Sequence, residues 1–397
     1  MNLASLEVSF QNSSGVCPEQ AICLLREAFP FSTHAEEAER ALLSSAHPGA
    51  NIFVVEVKQA GKLVGIAFAK QVTIRFDLIT LKALTVGPLA VAPTSQGRGV
   101  GRVLMGGIDN LARSFSIEAV YLQGIPNFYQ RFGYVPMLAK SKLIIELASI
   151  DCRYDTINVR HAVRADIPSL NTIYSALACG VSGAAFRDDA CWHWLLGSAA
   201  LSWYFQSPQV VELAGQPIGY FCVDRLSPVR VREFVGQTDP HAICALMQGL
   251  KMHLENSGAS HAEVMTWRES PLYNQSMFQM NAQFVEYGPM SGGQVIKLTN
   301  PESTVRSVLS ARLGGVGNDL IVESSGDLIV VALGSEKAFV RLKSIALWML
   351  GVMPLESMVS RGDVSFDRTA KRSVTPRFLQ LLRSPIGRVF VFQGDNL

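Results

Sequence analysis

Along the first 150 residues the apolar positions switch between the two-residue rhythm of strands and the 3.6-residue rhythm of helices. Residues 18–29, PEQAICLLREAF, set Ile22, Leu25 and Phe29 on one helical face behind Pro18, whose fixed φ suits a first helical turn. A helix is predicted there, and a second over EEAERALL (36–43). The β-branched runs of 52–74 flank Ala60-Gly61-Lys62 and predict a hairpin. LKALTVGPLAV (81–91) is a further strand, after which Val100, Val103, Leu104, Ile108 and Leu111 recur at helical spacing. EAVYLQ (118–123) predicts the next strand, and NFYQRFGYVP (127–136) a short helical turn entering another.

The pattern then starts again. VVELAGQPIGYFCV (210–223) echoes VVEVKQAGKLVGIAF (54–68), each a hairpin with a glutamate before the turn and a glycine in the return strand. NVRHAVRADIPSLNTIY (158–174) predicts a strand and a helix, VREFVG (231–236) the central strand, and Asp239-Pro240 opens a helix ending near His253. HAEVMTW (261–267) and QFVEYGP (283–289) close this second copy. From about residue 300 the rhythm changes to DLIVES and DLIVVAL, a helix around 341–350, PRFLQLLRS (376–384) and a last strand, RVFVF. A smaller α+β unit is expected there. The predicted domains are therefore 1–150, 151–299 and 300–397.

A length of 397 residues suits two or three cores rather than one. Lys plus Arg number 35 against 33 acidic residues, a net charge of +2, so no nucleic-acid or anionic-membrane partner is implied and any anion site must be local. The start, MNLASLEVSF, lacks a signal-peptide pattern, and the apolar run SIALWMLGVMPL (344–355) is too short for a membrane span. A cytoplasmic protein is expected. The seven cysteines are scattered with no C-x-x-C pair, and Cys191-Trp192-His193 has no second half. Free thiols are therefore expected, with no metal site.

The candidate chemistry lies in VAPTSQGRGVGRVL (91–104). Gln96-Gly97-Arg98-Gly99-Val100-Gly101 sits where a strand gives way to a helix, so its amides include the unpaired donors of a helix amino end. Glycines let the backbone approach a bulky anion, and Arg98 and Arg102 can add charge-assisted contacts. The spacing is neither a nucleotide P-loop nor the dinucleotide G-x-G-x-x-G pattern.

With its flanks VGPLAVAPTSQGRGVGRVLM and LQGIPNFYQRFGYVP, this turn resembles the GNAT (N-acetyltransferase) superfamily, whose acyl-CoA diphosphate rests on it. The resemblance covers 1–150 in element order and is most specific over 86–136. The tandem copies and third unit resemble the enhanced-intracellular-survival (Eis) type: two GNAT folds joined to a sterol-carrier-protein-like domain. It implies acetyl-CoA as cosubstrate, held by the backbone of Leu89, Ala90 and Val91, by 96–102, and by Gly124 and Ile125. It further implies an amine acceptor, polyamine-like, aminoglycoside-like or on a protein, and a homo-oligomer, of which a hexamer is one form. Tyr129 matches the tyrosine that protonates the departing CoA sulfur, whereas Tyr134 reads as packing. Many GNAT enzymes carry a glutamate base on the central strand, and 81–91 has none. In Eis-type enzymes the terminal carboxylate is the base, which would fall to Leu397, with Asp395 as substitute acceptor. The second copy starts its helix QTDPHAIC, without the glycines, and a structural role is expected of it. A different class of function, non-catalytic acyl-CoA or lipid binding, is the alternative.

Overall fold

In the computed structural model, residues 6–12, 15–30, 51–125, 128–137, 141–196, 206–224, 227–287, 293–314, 319–350, 352–367 and 376–383 are described. The expected helix at 36–43, the last strand RVFVF, and Asp395 and Leu397 lie outside them. The fold is mixed α+β, with two seven-stranded mixed sheets and a separate four-stranded one.

The first sheet begins with β1 (Leu6–Asn12), β2 (Ile52–Gln59), β3 (Lys62–Phe76) and β4 (Ile79–Val91), antiparallel neighbours in that order. The predicted hairpin is β2–β3, turning at Ala60-Gly61 with positive φ at both. Next comes β5 (Ala119–Gln123), parallel to β4 as expected after a helical crossover. That crossover is α2 (Val100–Ser114), following α1 (Pro18–Ala28) in the chain. Val100, Leu104, Ile108 and Leu111 of α2 are buried against Val55, Ala67 and Leu84 on one face of the sheet. The opposite face is covered by α1 at one end.

The second sheet comprises β7 (Ser141–Glu146), β8 (Ile157–His161), β9 (Gln209–Leu213), β10 (Gln216–Val223), β11 (Arg230–Gly236), β12 (His261–Met265) and β13 (Ala282–Glu286). The helices here are α3 (Ile167–Ala178), α4 (Asp189–Leu196), α5 (Pro240–Glu255) and α6 (Pro271–Gln279). Read from the β8 edge the order is 8-9-10-11-12-7-13. With β6 (Val135–Pro136) and β14 (Gln294–Leu298), the first sheet reads 1-2-3-4-5-14-6. The repeat seen in the sequence thus reappears strand for strand, with one exchange. β7, close after the first copy, lies between β12 and β13, while β14, close after the second, lies between β5 and β6. Neither sheet is built from one stretch of chain, so a cut at residue 150 would follow neither sheet. An apolar strand of five or six residues pairs wherever an edge and a buried face await it, and nothing local names that partner.

The third unit holds α7 (Pro301–Arg312), β15 (Leu320–Ser325), β16 (Leu328–Leu333), β17 (Glu336–Arg341), α8 (Ile345–Met349), α9 (Leu355–Ser360), β18 (Val364–Phe366) and α10 (Pro376–Leu382). Its strands form one antiparallel sheet in sequence order. Val305, Leu309, Trp348, Phe378 and Leu382 share a core with Ile74, Phe76, Leu81 and Tyr121 of the first sheet. Arg312 Nε donates to Asp77 Oδ2 at 2.8 Å, tying this unit to the tip of β3–β4. Among the described residues no helix is long and apolar enough to cross a membrane, and no group of three metal-ligating side chains converges.

Candidate functional site

A wedge opens where β4 leaves β5. The two strands pair only from Ala83 opposite Ala119 to Val86 opposite Leu122, although β4 runs on to Val91. On its other side β4 pairs Leu89 with Ala67 but Val86 with Ala69, so it carries an extra residue over Gly87-Pro88. Such a bulge bends a strand, and a proline, having no N–H to donate, sits there without breaking a ladder bond. Leu89, Ala90 and Val91 therefore keep β3 on one edge and present the other to the wedge.

The glycine turn closes the wide end of the wedge. Gly97 and Gly99 hold φ of +71° and +89°, a region that disfavours any residue bearing a Cβ. Gly99 is the N-cap of α2, its carbonyl already accepting from Arg102 and Val103 at 3.0 and 3.2 Å, and no side chain caps the helix. The amides of Gly97, Arg98, Gly99, Val100 and Gly101 meet no backbone acceptor among the described residues. The result is an open run of donors at the positive end of a helix dipole. Arg98 and Arg102 are exposed beside it, with no acidic partner among the described residues. Gln96 differs from expectation: its Nε2 donates to the carbonyl of Val91 at 3.1 Å, bracing the turn against the end of β4.

Tyr129 stands against Gly124, just past the end of β5. It lies in the helical turn Tyr129–Phe132, only 7% exposed. Its ring meets Phe128 edge-on at 4.9 Å and Tyr134 at 6.0 Å. Burial raises the pKa of its phenol, so the proton stays on at neutral pH. No described residue takes up its hydroxyl. Tyr134 is buried in the same cluster, its pKa raised first by burial and then by Asp109 and Tyr129. Gly124 is needed for room: a Cβ there would sit 2.7 Å from Tyr129 Cδ2. Its amide donates to Gly293 at 3.0 Å, so that N–H is taken by the strand-exchange partner. Ile125 is 67% exposed, and its carbonyl accepts from Phe128. Gly124→Ala is expected to cost roughly 1–3 kcal/mol by overpacking and to push the Tyr129 ring out of place, read as a lower melting temperature by calorimetry.

The second copy shows what this arrangement lacks elsewhere. β11 and β12 also part early, pairing only at Arg230–Glu263 and Val231–Val264. There the helix end is capped by its own carboxylate, Asp239 accepting from Ala242 N at 2.9 Å, so the place of an external anion is filled from within. The space left between Phe234, Leu246, Trp267 and Leu272 is about 20 Å³, room for one water molecule.

Residues 48–136 match the model of the acetyltransferase (GNAT) domain family. Solved structures similar over nearly the whole chain include a GCN5-related N-acetyltransferase from Kribbella flavida, 14% identical, covering 98% of this chain and 100% of that one with a TM-score of 0.67. Another is Eis1 from Mycobacterium abscessus, 16% identical, covering 98% and 100% with a TM-score of 0.66. The chain has the GNAT fold. In sequence, the chain is similar over 111 residues to an uncharacterized N-acetyltransferase of Escherichia coli (strain K12), at 32% identity. That match takes in 28% of this chain and 59% of the relative, under two thirds of its length.

Arg131 and Phe128 were not singled out from the sequence, yet they stack on each other beside Gly101 of the glycine turn. The signal was present: a guanidinium within NFYQRFGY, three residues from one aromatic and next to another, the spacing at which a cation stacks on a helical neighbour.

Proposed function

We propose that the chain is an acetyl-CoA-dependent N-acetyltransferase acting on a primary amine. The observation that carries this is the run of open amides at 97–101 next to the wedge between β4 and β5, with Tyr129 buried in the core cluster against which Leu89 and Val91 pack. Any acyl-CoA diphosphate on the amides directs the pantetheine arm along the free edge of Leu89–Val91 toward Tyr129. The amine nitrogen then bonds to the thioester carbonyl carbon, the carbon–sulfur bond breaks, Tyr129 gives its proton to the sulfur, and a base takes the proton from nitrogen. No carboxylate on β4 supplies that base. We keep the Leu397 carboxylate for the role, with Asp395 as substitute.

The polyamine-like, aminoglycoside-like or protein acceptor, the oligomer, the cytoplasmic setting and the sterol-carrier character of the third unit belong to the same proposal, on the Eis resemblance. Titration with acetyl-CoA is expected to show saturable binding, and a panel of amines to release free CoA above the rate of hydrolysis. Binding without release from any amine would favour the non-catalytic acyl-CoA reading, and absence of binding would end both acyl-CoA readings and leave lipid binding. In the same assay, a chain ending at Gly394 should keep the affinity and lose the turnover if the base is correctly assigned.

A further inference from the structure

We infer that Arg131 is a third guanidinium of the phosphate site, contacting the diphosphate of the coenzyme from the aromatic turn packed beside the first turn of α2. The inference rests on the acyl-CoA reading above. A Cβ at Gly101 would sit 4.0 Å from Phe128 Cζ, so the aromatic turn after β5 packs directly beside the first turn of α2. Arg131 lies on that aromatic turn. Its guanidinium stacks 4.3 Å from the ring centre of Phe128 and 5.7 Å from that of Phe132, while Nε donates to the Phe128 carbonyl at 2.9 Å.

These contacts use the face of the guanidinium and one of its five N–H groups, and leave the Nη pair to donate elsewhere. No acidic partner meets Arg131 among the described residues, and its side chain is exposed. The same holds for Arg98 and Arg102 at the start of α2. Three arginines without acidic partners around one helix end make a local field that the net charge of +2 does not foreshadow. A stacked guanidinium is already oriented, so little side-chain entropy is lost when an anion arrives.

Arg131 could instead act only by stiffening Phe128 and thereby seating Tyr129. The two roles differ in which ligands notice its loss. Acetyl-CoA, 3′-dephospho-acetyl-CoA and S-acetylpantetheine should be titrated into the full chain and into Arg131→Gln. A diphosphate contact raises Kd about tenfold for the two diphosphate ligands and leaves that of S-acetylpantetheine unchanged. An equal rise for all three would assign Arg131 to packing, and a rise for acetyl-CoA alone would move the contact to the 3′-phosphate. Either outcome overturns the inference, as does an unchanged Kd throughout. A wild-type chain that binds no acetyl-CoA would instead remove the underlying reading, and this inference with it.

Discussion

Tyr129→Phe is expected to lower kcat by about 10²–10⁴-fold, the usual contribution of a positioned general acid, while the Kd for acetyl-CoA stays within a factor of about two. The substitution removes one oxygen and nothing else. The ring keeps its edge contact with Phe128 at 4.9 Å and its fit over Gly124, so the wall of the wedge stands as before. A loss of this size is roughly 3–5 kcal/mol of transition-state stabilisation, far above what an exposed hydroxyl would bring. Burial raises the phenol pKa, so the proton is available across the neutral range and turnover should not fall with ionisation of this group below about pH 10. Steady-state release of CoA, with ligand affinity measured separately, decides the matter. A kcat within about threefold of wild type would return Tyr129 to a packing role.

The elements that sequence reading placed well are those whose signal is local. Apolar spacing defines α2, and the positive-φ pair Ala60-Gly61 defines the β2–β3 turn. The site was legible to the same depth: the glycines at 97 and 99 do occupy left-handed backbone at a helix start. Elsewhere the meaning of a residue depends on what lies across from it. SKLIIE and QVIKL were not singled out as strands, and their exchange between sheets depends on neighbours far away in the chain. Gly124 was matched to a cofactor contact by resemblance alone, and β14 brings the Gly293 carbonyl against its amide. Gln96 carries a side chain suited to phosphate and spends it on Val91 instead. The alternation of LEVSFQN at 6–12, read only as the absence of a leader, marks the edge strand β1.

The first 150 residues, expressed alone, are expected not to bind acetyl-CoA and not to give a cooperative thermal transition, although they contain every cofactor-binding residue proposed here. Such a fragment lacks β14, which pairs with β5 from Gln294 opposite Gln123 to Leu298 opposite Ala119 and with β6 at Val295 and Ile296. Val295, Ile296 and Leu298 are buried in the full chain, roughly 1.5–3 kcal/mol each, a sum on the order of the whole stability of a small domain. It also lacks the third unit, so Ile74, Phe76, Leu81 and Tyr121 would face water. Two further ties are lost: the Gly293 carbonyl that holds Gly124, and Lys297, whose Nζ contacts both carboxylate oxygens of Asp109 on α2 at 2.8 Å. The wedge depends on β5 staying in place while β4 bends away, and β5 would become an edge. Circular dichroism on heating and titration with acetyl-CoA, side by side with the full chain, measure both effects. A fragment that bound the coenzyme within about tenfold of the full chain would mean that β7 can fold back into the place of β14, and that the exchange joins the two copies without sustaining the site.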